Sequence, residues 1–188
     1  MREIEVKARL RDREGIMKKL TELGCTFGDS ITQKDTVYVE NVGSLGIFLA
    51  NSIFLRIRET PDVVLFTIKY NQDKSQNGKA EIMPLEHEVT VSSAAEIQEM
   101  IRLMGYTEAL RINKTRQSAH LHGWEICIDE VEGLGAFIEV EKLAEHDEDV
   151  KAVSKELTEF LSMIGIALED IGVKRYDIQL LEGQDGGV

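Results

Sequence analysis

A strict alternation of charged and apolar residues is the feature that most constrains this chain. The polar parity of the opening segment is charged throughout and consists of Glu3, Glu5, Lys7 and Arg9. The other parity is apolar, with Ile4, Val6 and Ala8. A period of two is typical of a β-strand with one buried face. The pattern recurs over residues 54–58, 63–70, 85–91, 112–121, 125–131 and 136–142.

Helical patterns interrupt these strands and fix the fold class. A helix is predicted from Arg13 to Leu23, with Asp12 as its N-cap and Gly24 as its stop. A second follows the capping box of Ser93 and Glu96, and further helices are predicted over 150–164 and 174–181. About eight strands with few helices predict the α+β class, as an eight-stranded antiparallel sheet or closed barrel with helices packed outside.

The length and the net charge limit the number of domains and the kinds of partner that the chain can bind. The 188 residues show no linker, so we expect a single domain over 1–181 and a disordered tail over 182–188. The 22 basic and 34 acidic residues give a net charge of −12, which argues against nucleic acid and anionic membrane surfaces as partners. The opening segment is too charged for a signal peptide or anchor, which predicts a cytoplasmic protein.

The charged parities are sorted by sign from strand to strand. Some strands offer only acids, namely Glu86 with Glu88, Asp129, and Glu139 with Glu141; others offer only bases, namely Arg56 with Arg58, Lys69, and Lys114 with Arg116. One interpretation is a set of solvated faces with weak cross-strand salt bridges. The other is a charged barrel interior in which carboxylates hold a hard divalent cation and the bases hold phosphate oxygens. The repetition over six strands favours the second, a site for a metal–polyphosphate complex.

Several motifs then resemble one family, in its order. Glu3 to Lys7 resembles the ExExK signature of the CYTH family, the triphosphate tunnel metalloenzymes. The segments 33–38, 55–58, 68–69, 86–88, 113–116 and 128–141 resemble its D-x-x-Y, LRxR, lysine, ExE, KxR and D-x-VxGLGxFxExE strands. Residues 175–181 resemble its closing SYxxLL helix. The stretch 96–106 and the turn at Gly133 are most similar to the class IV adenylyl cyclase branch.

The resemblance implies an eight-stranded antiparallel tunnel and a role for each charged residue. The metal, Mg²⁺ or Mn²⁺, would be bound by Glu3, Glu5, Asp129, Glu139 and Glu141. Phosphate would be bound by Lys7, Arg56, Arg58, Lys69, Lys114 and Arg116, with Arg175 adding a cation at the tunnel mouth. The catalytic set would comprise Glu3, Glu5, Lys7, Arg56, Arg58, Lys114, Arg116 and Glu139. Glu88 would orient a cation or contact the base or metal.

Two reactions and one non-catalytic function fit such a tunnel. The first is cyclisation of ATP to cyclic AMP and pyrophosphate; the second is hydrolysis of inorganic triphosphate, thiamine triphosphate or a nucleoside triphosphate. The third is a module that binds polyphosphate or nucleotide without turnover. We expect an enzyme with a small-molecule triphosphate substrate, ATP or tripolyphosphate. A homodimer is compatible with the sequence, but no interface stripe identifies one.

Overall fold

The computed structural model describes residues 2–71, 85–145 and 148–185. The strands are β1 (Arg2–Arg9), β2 (Ile31–Val39), β3 (Ile53–Glu59), β4 (Val64–Tyr70), β5 (Leu85–Val91), β6 (Thr107–Leu121), β7 (Trp124–Val131) and β8 (Gly135–Ala144). The helices are α1 (Arg13–Glu22), α2 (Leu45–Ala50), α3 (Ala94–Leu103), α4 (Val150–Met163) and α5 (Tyr176–Asp185). A 3₁₀ turn, Leu168–Asp170, precedes α5.

The eight strands are hydrogen-bonded in the order β1-β8-β7-β6-β2-β3-β4-β5. The pairs β1–β8, β7–β8, β2–β3, β3–β4 and β4–β5 are all antiparallel. The α+β class with an eight-stranded antiparallel sheet and accompanying helices is therefore confirmed.

Backbone contacts divide the chain into two compact units. The first unit comprises residues 1–30 and 115–174 and contains β1, β7, β8, α1 and α4. Its core joins the apolar parities of β1 and β8 to the inner faces of α1 and α4. Ala8, Ile138 and Leu157 are completely buried there. The apolar parity that the sequence identified in β1 and β8 is thus the face that the helices cover.

The second unit comprises residues 31–114 and 175–188. Its core is centred on Ile101 of α3, which is completely buried among Tyr38, Leu55 and Ile57 of β2 and β3. Arg56 and Arg58 alternate with Leu55 and Ile57 along β3, as the period of two predicts, and therefore project from the opposite face.

The predicted N-caps of α1 and α3 and the predicted stop of α1 are confirmed. Asp12 accepts a hydrogen bond from the Gly15 N–H, and the Ser93 hydroxyl accepts one from the Glu96 N–H. Gly24 ends α1 with φ of +96°, a conformation that glycine adopts without steric cost. These contacts satisfy backbone groups that a helix leaves unpaired at its ends.

The structure differs from the sequence prediction at α2 and at the C-terminal segment. Helix α2 was not predicted, because its six residues are too few to show a helical period. Helix α5 includes residues 182–185 of the segment assigned to a tail, and residues 186–188 lie outside the described part. Residues 71–79 are rich in Asn, Gln, Asp, Lys and Gly, which predicts a polar loop, and beyond residue 71 this segment lies outside the described residues. The single domain over residues 1–181 stays a prediction, since backbone contacts divide the chain into two compact units.

Candidate functional site

Three carboxylates of the first unit converge between β1 and β8. The antiparallel register places Glu5 opposite Glu141, and Lys7 opposite Glu139. Side chains directly opposite one another on adjacent strands point to the same face, so both pairs share the charged face. Oxygen atoms of Glu5, Glu139 and Glu141 all lie within 4.8 Å of one another. We refer to these three residues as the carboxylate cluster.

Two basic side chains hold this cluster together. The Lys7 ammonium lies 2.8 Å from Glu139 and 3.1 Å from Glu5. The Arg116 guanidinium donates to Glu139 and lies 3.8 Å from Glu141. Arg116 also forms a bidentate pair with the buried Asp129, with both N–O distances 2.7 Å. Asp129 therefore positions Arg116 beside the cluster.

The pKa values of Glu141 and Glu5 are raised, although two basic side chains lie beside the carboxylate cluster. Burial, a hydrogen bond with Glu3 and the charge of Glu5 raise the pKa of Glu141 to about 10. Burial and the charge of Glu139 raise the pKa of Glu5, although Lys7 opposes this. Burial disfavours the charged form of Lys7, but Glu139 and Glu5 outweigh it and raise the pKa of its ammonium. Close carboxylates with too little positive charge favour protonation of one of them.

The donor set fits a hard divalent cation. All three groups present carboxylate oxygens, which Mg²⁺, Mn²⁺ and Ca²⁺ prefer to nitrogen or sulfur. A bound dication would add positive charge beside the three carboxylates, where burial and the neighbouring acids raise the pKa of Glu141. The carboxylate cluster is therefore a candidate metal centre, with Lys7 and Arg116 as adjacent phosphate-binding candidates.

A second charged cluster occupies the polar face of β2 to β5 in the second unit. Arg58 forms a bidentate pair with the buried Asp35, with both N–O distances 2.7 Å. Arg56 donates to Glu88 at 3.0 Å and to Glu86 at 3.2 Å, and the Lys69 ammonium lies 2.9 Å from Glu86. Each predicted phosphate-binding base of β3 and β4 is thus paired with an acid.

One donor in this second cluster lacks an acceptor. The Arg56 Nε is buried and has no hydrogen-bond partner among the described residues. A buried N–H without a partner loses its hydration without replacement, which costs roughly 1–3 kcal/mol. An incoming phosphate oxygen could accept from it. This observation supports Arg56 as an anion-binding residue.

The remaining predicted residues have individual surroundings. Lys114 is buried, with its ammonium 5.4 Å from the centre of the Tyr176 ring. Arg175 pairs with Asp177 at 2.7 Å, and its guanidinium lies 5.6 Å from the Phe54 ring centre. Glu3 is exposed and forms a hydrogen bond with Glu141, but it is not one of the three residues of the carboxylate cluster. Asp129 is also outside the cluster and pairs with Arg116.

Sequence reasoning missed two polar residues of the second cluster. Asp35 was identified only as part of a motif, although it is the partner of Arg58. Thr67 was not singled out; its buried hydroxyl donates to Glu88 at 2.7 Å and accepts from Arg56 at 3.1 Å. The available signal was parity, because Thr67 and Lys69 alternate with apolar residues along β4.

Both clusters combine acidic and basic side chains on the polar faces of antiparallel strands. Comparison with known proteins identifies the family. The chain belongs to the CYTH family, whose domain matches residues 1–176. A relative from Methanocaldococcus jannaschii, named "Putative adenylate cyclase MJ0240", is 28% identical over 177 residues, which cover 94% of this chain and 97% of that protein.

Solved structures share the fold over nearly the whole chain. Protein PH1819 from Pyrococcus horikoshii is 25% identical with a TM-score of 0.77, covering 97% of this chain and 99% of its own. A Hippeastrum protein, described as "Putative adenylyl cyclase HpAC1" with a dominant triphosphatase activity, is 17% identical with a TM-score of 0.56, covering 88% and 89%. At that identity the likeness concerns the fold alone. Within the described ranges of our chain, no helix is both long and apolar enough to span a membrane.

Proposed function

We propose that this protein is a divalent-metal-dependent enzyme that acts on a triphosphate, and that its reaction is the cyclisation of ATP to cyclic AMP and pyrophosphate. The observation that carries the proposal is the carboxylate cluster, whose oxygens lie within 4.8 Å of one another beside Lys7 and Arg116. Membership of the CYTH family and the adenylate cyclase name of the M. jannaschii relative support the choice of reaction.

In this proposal the chain acts mainly by binding and by electrostatic stabilisation. Glu5, Glu139 and Glu141 would hold Mg²⁺ or Mn²⁺, and the ion would neutralise charge on the triphosphate. Lys7 and Arg116 would bind phosphate oxygens, and Asp129 would keep Arg116 oriented. Fixed positive groups of this kind favour phosphoryl transfer because they offset the charge of the transition state.

The basic residues of the second unit are also proposed to bind phosphate. Arg56, Arg58, Lys69 and Lys114 would bind phosphate oxygens, and Arg175 would add to their charge. The unpartnered Nε of Arg56 supports this role most directly. An Arg56→Lys variant retains a positive charge but loses that donor and the planar fork, so it should weaken tripolyphosphate binding roughly tenfold.

Cyclisation and hydrolysis differ in which phosphorus is attacked. In cyclisation the ribose 3′-hydroxyl attacks the α-phosphorus and pyrophosphate leaves; in hydrolysis water attacks the terminal phosphorus and orthophosphate leaves. The dominant triphosphatase activity of the Hippeastrum protein supports hydrolysis as the second candidate, because that protein shares this fold.

Product analysis separates these candidates. The purified chain is incubated with ATP, and separately with tripolyphosphate, in the presence of Mg²⁺ or Mn²⁺, and all products are resolved by mass. Cyclic AMP with pyrophosphate supports the cyclase, and orthophosphate without a cyclic product supports the triphosphatase. Glu139→Gln should abolish either activity, whereas Glu130→Gln, an exposed position on β7, should leave it unchanged. No product from either substrate would refute an enzymatic function on these triphosphates.

A further inference from the structure

A groove in the first unit is lined by residues that do not belong to the carboxylate cluster. It has a volume of about 390 Å³ and is formed by α4 and the ends of β6 and β7. Leu121, Trp124 and Phe160 line its interior, and the rings of Trp124 and Phe160 meet edge to face at 5.1 Å. This volume lies within the range of small-molecule sites, which are mostly apolar with a few polar groups.

Large apolar side chains continue from the interior to the mouth of the groove. Leu23 and Met163 both line it and are 44% and 64% exposed. Covering an apolar concavity with an exposed apolar margin is favourable, because it removes apolar surface from water. The groove therefore favours a ligand with an apolar body.

A tight turn provides one wall. His122 and Gly123 connect β6 to β7, and both have positive φ, +54° and +81°. Two positive φ values are the mark of a type I′ hairpin turn. The turn places the His122 ring 6.1 Å from the Trp124 ring, edge to face. Asparagine would satisfy the same turn without the ring, so this wall can be altered without changing the backbone.

The charge of the groove is negative. Glu156 and Glu159 line it from α4, and their side chains are 53% and 69% exposed. Their ion pairs are long: Glu156 is 3.9 Å from Lys142 and Glu159 is 3.7 Å from Lys155. Lys142 has a closer partner, Glu148, at 2.8 Å. Among the described residues that line the groove there is neither a lysine nor an arginine.

We propose that this groove binds a small organic cation, an aromatic or branched apolar group that carries an ammonium. The apolar body would contact Trp124 and Phe160, and the ammonium would lie beside Glu156 and Glu159. A ligand with a carboxylate in place of the ammonium would be repelled by the two glutamates. The groove volume falls in the range of small-molecule sites, so the proposed occupant is a free small molecule.

Trp124 is the only tryptophan of the chain, so its fluorescence reports on this groove. We would titrate the full chain with phenethylamine and excite at the red edge of the indole band, where the ligand does not absorb. The matched probes are 3-phenylpropionate, which carries a negative charge on a similar body, and 2-phenylethanol, which is neutral. We expect saturable binding in the order phenethylamine, phenylethanol, phenylpropionate.

Variants assign the charge preference to the two glutamates. Glu156→Gln combined with Glu159→Gln should weaken phenethylamine binding about tenfold and leave phenylethanol binding within about twofold, because only the ammonium pairs with the two exposed carboxylates. Glu130→Gln serves as the matched control. His122→Asn should weaken all three probes while the protein stays folded.

Several results would overturn the proposal. Phenylpropionate binding as tightly as phenethylamine would exclude a cation site, and so would a double variant with unchanged affinity. Absence of saturable phenethylamine binding at millimolar concentration would exclude the small-molecule ligand itself. None of these readouts depends on triphosphate turnover, so the two proposals are tested separately.

Discussion

Replacing Asp35 by Asn tests how the second cluster is held together. Asp35 is 4% exposed, and Arg58 donates two hydrogen bonds of 2.7 Å to its carboxylate. Burial by itself would raise the pKa of Asp35, but the hydrogen bonds and charge of Arg58 outweigh it, and the pKa is lowered. The carboxylate is therefore ionised at neutral pH, and Asp35→Asn removes the negative charge that pairs with Arg58.

The expected loss of stability follows from this geometry. Removal of one member of a buried ion pair costs about 3–5 kcal/mol. The Arg58 side chain is 14% exposed and retains some hydration, so we take the lower end, about 3 kcal/mol. Asn has nearly the shape of Asp and creates no cavity. For a chain of 188 residues, this loss corresponds to a fall in Tm of about 6–12 °C.

Urea unfolding across a pH series provides the assay. A lowered pKa in the folded state stabilises the protein above the unfolded pKa of about 3.9, and the contribution is lost as the pH falls through the folded value. The gap between wild type and Asp35→Asn should therefore be full at pH 7 and narrow below about pH 4. Asp62→Asn, on an exposed turn, is the matched control. Equal stability at pH 7, or a gap that persists in acid, would refute the argument.

Three further predictions concern caps, thiols and a second ion pair. Ser93→Ala removes the N-cap of α3 and should lower the free energy of unfolding by about 1 kcal/mol in urea titrations; an unchanged value would show that the cap is not formed. Burial raises the pKa of the Cys127 thiol to about 12 and also raises the pKa of the Cys25 thiol. A maleimide should therefore label neither cysteine in the native protein at pH 7 and should label both in urea. Rapid labelling of the native protein would contradict this. Hydrogen bonds from Arg11 lower the pKa of Asp170, so Asp170→Asn should destabilise the protein at pH 7 and have little effect below the unfolded pKa, as thermal melts at the two pH values would reveal.

The sequence predicted the faces of the strands better than their pairing. Alternation alone placed Glu5, Lys7, Glu139 and Glu141 on charged faces, and β1 and β8 confirm those parities. The proximity of Glu5 to Glu141 depends on the register between strands separated by more than a hundred residues. No local pattern encodes that register, so the three-membered cluster could not be derived from spacing alone.

Sorting the strands by the sign of their charges identified the charged residues but not their ion-pair partners. It identified Arg56 and Arg58 as a basic strand, but the structure pairs Arg58 with Asp35 from β2 and Arg56 with Glu88 from β5. The basic strand β3 therefore finds its acidic partners on two different strands, β2 and β5. A buried charge requires a partner, which explains why acids of other strands lie beside these arginines.

A manganese titration tests whether the carboxylate cluster is a divalent cation site. Free Mn²⁺ is measured by electron paramagnetic resonance as wild type, Glu141→Gln and Glu130→Gln are each added. Because burial and neighbouring acids raise the pKa of Glu141 to about 10, glutamine mimics its metal-free state and the variant should stay folded. The account predicts saturable binding by wild type and Glu130→Gln, weakened at least tenfold in Glu141→Gln. Equal binding by Glu141→Gln, or none by wild type, would contradict it.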